Sequence, residues 1–273
     1  MSYLSREAVS LPAELWSRID DTVTQTARQA LVSRRFLHLF GPLGVGQTHV
    51  AIDDAGALDE KADDGLLTTG GRTVAEIPTI YSDFTLLARD LEAAARAGVP
   101  VDVSKAAAAA EKCALKEDEL VLLGNAAHGY DGLLTAAGVN KVALDAWDEG
   151  ENAFTDIADA LALLAKKGVY GPYALVVSPE LFAGLHRIQP GTGSLEIDRV
   201  RALVGGHVYQ TPVLGQKTVQ AALLATSERN MDLAVGLDLT TAYLEQVSLN
   251  HSFRVLETVL ARVKRPESVV VFE

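Results

Sequence analysis

From Pro12 onward, apolar side chains recur every three or four residues: Leu15, Trp16, Ile19, Val23, Ala27, Ala30 and Leu31. That period lays one apolar stripe along a helix over 12–32, with Pro12 suited to its first turn. "RRFLHLF" then alternates as a short extended segment, which Gly41-Pro42 stops. Residues 53–75 have no helical period. Gly56, Gly65, Gly70 and Gly71 punctuate polar runs too short to build a core, so the pattern predicts a projecting hairpin arm that needs a partner. The spacing of Leu86, Leu87, Leu91 and Ala94 predicts a helix from Phe84 to Ala97, capped by Asp83. An alanine-rich stretch predicts a long helix from an N-cap at Ser104 to near Gly124.

Further on, Ile157, Leu161 and Leu164 predict a helix over Thr155–Lys167, closed by Gly168. The strand "YALVVS" follows, and Ser178-Pro179 opens another helix. "HRIQPGTGSLEIDR" reads as a glycine loop between helical pieces. Strands are then predicted at 207–211, 221–226, 232–237, 241–249, 251–263 and 268–272. The class is α+β, with no regular β-α-β alternation.

"GPLGVGQTH" at 41–49 resembles a phosphate-binding loop except that Gln47 replaces the lysine. No helical period follows it, and the carboxylates downstream would repel phosphate, so a glycine-rich turn accounts for it better. The 24 basic against 36 acidic residues give a net charge of −12, without a basic stretch interleaved with aromatics. That balance offers nucleic acid no groove. No apolar run approaches the roughly 18 residues of a membrane span, and no secretory signal opens the chain, so a soluble cytoplasmic protein is expected. The single cysteine, Cys113, lies in a helical pattern and reads as a packed thiol.

Histidines 38, 49, 128, 186, 207 and 251 form no zinc-ligand spacing, and Ser194 follows Gly193 without the surroundings of a nucleophile. The carboxylates of "KEDE" and "DDAGALDEKADD" read as solvated faces or subunit contacts. No metal, cofactor or enzymatic activity is expected. An arm without a core and a small-residue loop fit a subunit completed by its neighbours. Composition alone leaves ordinary loops on a monomer equally open.

Across nearly the whole chain the sequence resembles the encapsulins, bacterial nanocompartment shell proteins related to the HK97 phage capsid. The resemblance is carried by "LPAELWSRID", "SRRFLHLFGPLG", "YSDFTLLARDLE" in the spine-helix region, "KEDELVLLGN", "KKGVYGPYALVVSPE", "RALVGGHVYQTPVL", "VGLDLTTAYLE" and "FRVLETVLARVKRP". Their order and spacing carry it rather than any one of them. It implies an HK97 capsid-like fold: an N-terminal helix and start of the P-domain (1–52), an E-loop (53–75), P-domain with spine helix (76–135), A-domain (136–225) and a return to the P-domain (226–273).

The resemblance also implies self-assembly into an icosahedral shell of sixty subunits or a multiple. The cargo enzyme, a dye-decolourising peroxidase or a ferritin-like iron oxidase, is expected to dock by a C-terminal targeting peptide, for oxidative-stress defence or iron storage. Carried over by position, the peptide site comprises Val23, Ala27, Leu31, Arg34, Leu37, Leu39, Asp238 and Leu239. His38 departs from an acidic residue of some members. Gln189, Pro190, Gly191, Thr192, Gly193 and Ser194 match the five-fold pore loop. Where some members stack a flavin on tryptophan this chain has Arg89, so no flavin is expected, although Trp147 and the tyrosines stand as possible substitutes. The alternative is a phage-type major capsid protein packaging DNA. The net charge and the absence of a long N-terminal scaffold-like extension count against it.

Overall fold

The computed structural model describes residues 3–53, 58–189, 191, 193–216 and 219–273. Helix α1 spans Ala13–Ala30, slightly inside the predicted limits, and buries Leu15, Ile19, Val23 and Ala27 along one face. Each large member of that stripe contributes about 1.5–3 kcal/mol by leaving water. The face meets the helix over Ser104–Leu123, whose alanines let the two backbones approach. Between them the chain runs through β1 (Leu39–Phe40) and β2 (His49–Ala51) into the arm.

The arm is the hairpin of β3 (Asp59–Asp63) and β4 (Leu66–Gly70), turned by Asp64 and Gly65, both at positive φ. An Asp-Gly pair of this kind matches the right-handed twist of the flanking strands. Leu66 and Leu67 are 66% and 62% exposed on it. Residues 54–57 of the expected 53–75 span lie outside the described residues. Strand β5 (Val74–Glu76) pairs with β2 at the base of the arm.

The helix expected from Phe84 begins later. Thr79–Leu86 is strand β6, and helix α2 occupies Ala88–Ala97. The two-residue alternation of buried Ile80, Phe84 and Leu86 prevails over the helical spacing of the leucines, because β6 pairs along its length with the strand over Asn250–Val263. Asp83 caps nothing; it receives two hydrogen bonds from Arg254, at 2.7 and 2.8 Å. "YSDFTLLARDLE" thus covers the end of β6 and the start of α2. Helix α3 spans Ser104–Leu123. Ser104 is its first helical residue rather than its cap, and both its backbone N–H and its hydroxyl donate to Asp102. Cys113 is buried on α3; burial, with Glu257, Asp83 and Glu117 adding, pushes its thiol up to about 12.

After α3 come β7 (Gly124–Asn125), β8 (Tyr130–Asp131), β9 (Asn140–Val142) and helix α4 (Asn152–Lys166). Helix α4 begins three residues before the expected Thr155, and Asp156 accepts from the Trp147 indole at 2.8 Å. Strand β10 (Tyr173–Val177), helix α5 (Pro179–Gly184) with Ser178 as its cap, and helix α6 (Glu196–Leu203) follow. The chain ends in β11 (Val208–Gln210), β12 (Ala221–Ala225), β13 (Met231–Val247), β14 (Asn250–Val263) and β15 (Val269–Phe272). The strands expected at 232–237 and 241–249 are one long β13, interrupted by bulges rather than by a turn.

Among the described residues, one sheet orders as β1-β13-β14-β6 and another as β11-β10-β12-β15-β9. Within 226–273, β13 and β14 join the first sheet, whereas β15 joins the second. The first sheet packs on α1 and α3, with Phe253 stacked on Phe84 at 5.0 Å and met edge-on by Trp16 and Tyr243. The second sheet is covered on both sides. Leu175, Val177, Leu223, Val270 and Phe272 face the core with α4 and α6, while Val176, Ala222, Leu224, Val269 and Val271 join the core of the first sheet. Such central strands read as continuous apolar runs because neither face meets water.

Helix α3 stops at Gly124, at φ +70°, where its backbone crosses that of Gly132. A Cβ on Gly132 would lie 2.3 Å from Gly124 N and 2.5 Å from the Leu122 carbonyl oxygen. Gly132→Ala is expected to lower stability by about 2 kcal/mol or more in urea unfolding. Gly46→Ala, which meets nothing within 4 Å, serves as the neutral control; equal midpoints for the two variants would remove this account of the junction.

Candidate functional site

A hollow of about 330 Å³ opens where the end of α1 faces β13. Ala27 and Leu31 form its floor together with Leu239, and these pack on Ala114 of α3. Thr24, Arg28, Arg35, Arg34 and Asp238 complete the lining. Small residues on α1 leave the space, and bulges in β13 supply the opposite wall. The ladder slips between Val235 and Leu237 and again between Leu237 and Thr240, which takes Asp238 and Leu239 out of regular pairing and aims them at α1. Thr258 fixes the bulge, its hydroxyl accepting from Leu237 N at 2.7 Å.

Beneath the rim lies a buried ion cluster. Arg34 donates through Nε and Nη2 to Glu117 at 2.7 and 2.8 Å, through Nη2 to Glu257 at 2.7 Å, and through Nη1 to Asp238 at 2.6 Å. Glu117 and Glu257 are fully buried, whereas the Asp238 side chain is 67% exposed. Next to Glu117, the buried Asp118 accepts the backbone N–H groups of Val32 and Ser33 at 2.9 and 2.8 Å and so holds the chain where it leaves α1. Burial raises Asp118, against those hydrogen bonds. Burial alone would lower the Arg34 value, but the hydrogen bond and charge of Glu117 and the charge of Glu257 outweigh it and raise it.

Of the residues expected at the peptide site, Ala27, Leu31, Arg34, Asp238 and Leu239 come together here. Val23 and Leu37 do not; both are buried in the main core. Leu39 is exposed on β1, paired beside Leu233, and does not line the hollow. His38 stands 3.2 Å from Glu228. "KEDE" is not a solvated run: Lys116 and Glu119 pair on the surface at 2.8 Å, but Glu117 and Asp118 are wholly buried. Glu257 also escaped the sequence reading, although a lone carboxylate within the apolar "VLETVL" is a signal that a partner waits inside.

In the pore-loop set, Gln189 is buried and donates through Nε2 to the Gly150 carbonyl at 2.9 Å, while Gly191 and Gly193 take positive φ. Ser194 accepts from Gln189 N at 2.9 Å. Pro190 and Thr192 lie outside the described residues. Arg89 is exposed on α2. Trp147 is buried with its ring edge-on to Phe272, and Tyr81 carries the Arg254 guanidinium 4.0 Å over its ring. Among the described residues no group of three or more metal-ligating side chains occurs, and no helix is long and apolar enough to cross a membrane.

Residues 1–260 match the family described as "Encapsulating protein for peroxidase", Linocin_M18. The chain is 42% identical to the type 1 encapsulin shell protein EncA of Myxococcus xanthus, over 99% of this chain and 96% of that one. In structure it is similar to the virus-like particle from Pyrococcus furiosus, with a TM-score of 0.77 at 22% identity, covering 96% of this chain and 100% of that one. The capsid of Myoviridae phage XM1 aligns with a TM-score of 0.65 at 17% identity, covering 88% and 90%.

The ion cluster has a pH signature. Burial first, and then the charge of Glu117, raises Glu257 well above the usual carboxylate range, so the folded state holds that proton more tightly than the unfolded chain. The stability this contributes is complete below the unfolded value of about 4.3 and is lost as pH rises through the folded value. Asp238 works the other way: burial would raise it, but the hydrogen bond and charge of Arg34 hold it low, so its contribution is lost only as pH falls. Thermal stability is therefore expected to decline as pH is raised from mildly acidic to alkaline. Glu257→Gln, a mimic of the protonated acid, is expected to flatten the decline; parallel melting-temperature profiles for the two proteins would contradict the assignment.

Proposed function

The chain belongs to the encapsulin family of shell proteins, with an HK97-like capsid fold, and from that premise we propose that sixty copies, or a multiple of sixty, enclose a cargo enzyme docked on the inner wall by its C-terminal targeting peptide. As a shell protein the chain is structural and not an enzyme. The observation that carries the docking reading is the hollow between α1 and the bulge of β13, with its apolar floor of Ala27, Leu31 and Leu239. A peptide side chain that removes about 100 Å² of apolar area from water there gains roughly 2.5 kcal/mol. Asp238 is the acidic residue on the rim, and a basic group on the peptide must share it with Arg34.

Val23 and Leu37 act in this reading as support under the site, and Thr24 with Arg28 and Arg35 replaces them at the rim. The family's description favours a peroxidase as cargo over a ferritin-like iron oxidase, and a cytoplasmic compartment for oxidative-stress defence follows from that choice. The arm of β3 and β4 is the E-loop, seated on a neighbouring subunit, where its exposed leucines leave water. Glycines 191 and 193 stand at the five-fold opening. A DNA-filled capsid is the poorer reading because a charge of −12 opposes close packing of a polyanion.

Two outcomes test these assignments. Shells co-expressed with a fluorescent protein that carries the C-terminal segment of a peroxidase should retain it. Leu239→Asp and Thr24→Trp should leave particle size unchanged in light scattering while retained fluorescence falls about tenfold or more. Full loading in both variants would remove the hollow as the docking site, and a nucleic-acid absorbance in the particles would favour the capsid alternative. Deletion of 59–70 should abolish closed particles in negative stain, and intact shells after that deletion would refute the E-loop assignment.

A further inference from the structure

The loop that follows α5 is held by a narrow, cross-braced neck. The strands of the neck meet at three successive levels: Glu196 N donates to the Arg187 carbonyl at 3.1 Å, Ile188 bridges Leu195, and Gln189 N donates to the Ser194 carbonyl at 2.9 Å. Below them Ile197 N donates to the Leu185 carbonyl at 2.8 Å. Only residues 190–193 lie beyond the last rung.

One side chain ties this neck to the body of the molecule. Arg187 donates through Nε to Glu196 Oε2 at 2.6 Å, through Nη2 to the Gly150 carbonyl at 2.8 Å, and through Nη1 to the Asp148 carbonyl. Its Nη2 also lies 3.5 Å from Gln189 Oε1, while Gln189 Nε2 reaches the same Gly150 carbonyl. Glu196 is fully buried, and among the described residues its other oxygen, Oε1, has no hydrogen-bond partner, so Arg187 is the cation that compensates that carboxylate. The turn at 148–151 that receives the arginine is itself anchored: Arg199 of α6 pairs with Glu151 at 3.1 Å and lies over Phe154 of α4 at 4.5 Å. A planar guanidinium can satisfy a carboxylate and two carbonyls at once, which an ammonium cannot do in a fixed geometry.

We propose that Arg187 is the positioning residue of this loop: by clamping the neck to the 148–151 turn and to Glu196, it sets where the neck stands and so governs passage through the opening that the loop borders. The inference rests on the reading of 189–194 as the five-fold pore loop.

The test uses assembled shells of the wild type, Arg187→Ala and Arg187→Lys, reassembled around fluorescein-labelled dextran. Amide hydrogen exchange is measured over 186–197, and entry of iodide is followed by quenching of the trapped fluorophore. In Arg187→Ala, exchange at Gln189, Glu196 and Ile197 is expected to accelerate roughly tenfold or more, and iodide entry to change several-fold, with particle size unchanged. Arg187→Lys keeps a cation on Glu196, so it protects folding should the alanine variant fail to assemble. It is expected to fall between the two because it loses the carbonyl contacts. Wild-type exchange rates in both variants would overturn the clamp. Faster exchange with unaltered iodide entry would overturn the aperture claim from the other side, since the clamp would then hold a loop that is not the opening.

Discussion

A guanidinium that must neutralise buried carboxylates holds this subunit together. Arg34 comes from the short connection after α1, Glu117 from α3, Glu257 from β14 and Asp238 from the bulge of β13. Arg34 and the buried Glu117 cannot part without leaving an ion unpaired away from water, and an orphaned buried charge costs about 3–5 kcal/mol, while Glu257 and the exposed Asp238 add hydrogen bonds to the same guanidinium. The neighbouring Asp118 adds backbone hydrogen bonds to the same connection. Geometry follows from the electrostatics: the end of α1 is fixed against α3, the bulge is fixed against α1, and the hollow between them has a determined width.

The second sheet depends on that frame in a different way. Its central strands supply side chains to the core around α1 and α3 and also to the core beneath α4 and α6. A single layer of backbone thus joins the region bearing the hollow to the region bearing the glycine loop. Motion of one against the other would require apolar side chains on both faces to leave close packing, so the hollow and the glycine loop rest on two cores that share one sheet.

Much of this was legible in the sequence, and the parts that were not have identifiable causes. The stripe Leu15, Ile19, Val23 and Ala27 gave helix α1 because a single buried face imposes a single period. Phe84 and Leu86 misled because they satisfy a helical spacing and a strand alternation together, and only the partner β14, far along the chain, decides between them. Glu117 and Asp118 were hidden within a charged run whose members point in opposite directions around α3. The register that aims Asp238 and Leu239 at α1 rests on the bulges of β13, which long-range pairing creates. Val23 and Leu37 were placed in the site by their chain position, but apolar residues beside a groove often form the core under it.

Cys113 carries a practical meaning for chemistry performed on the particle. It is the chain's sole thiol, it is buried, and burial pushes its ionisation up to about 12, so at neutral pH it offers neither access nor thiolate. The native surface is therefore silent toward maleimides and other thiol reagents. A cysteine installed by design at any exposed position becomes an orthogonal attachment point, reproduced once on every subunit with the spacing of the lattice, and no background substitution is needed first.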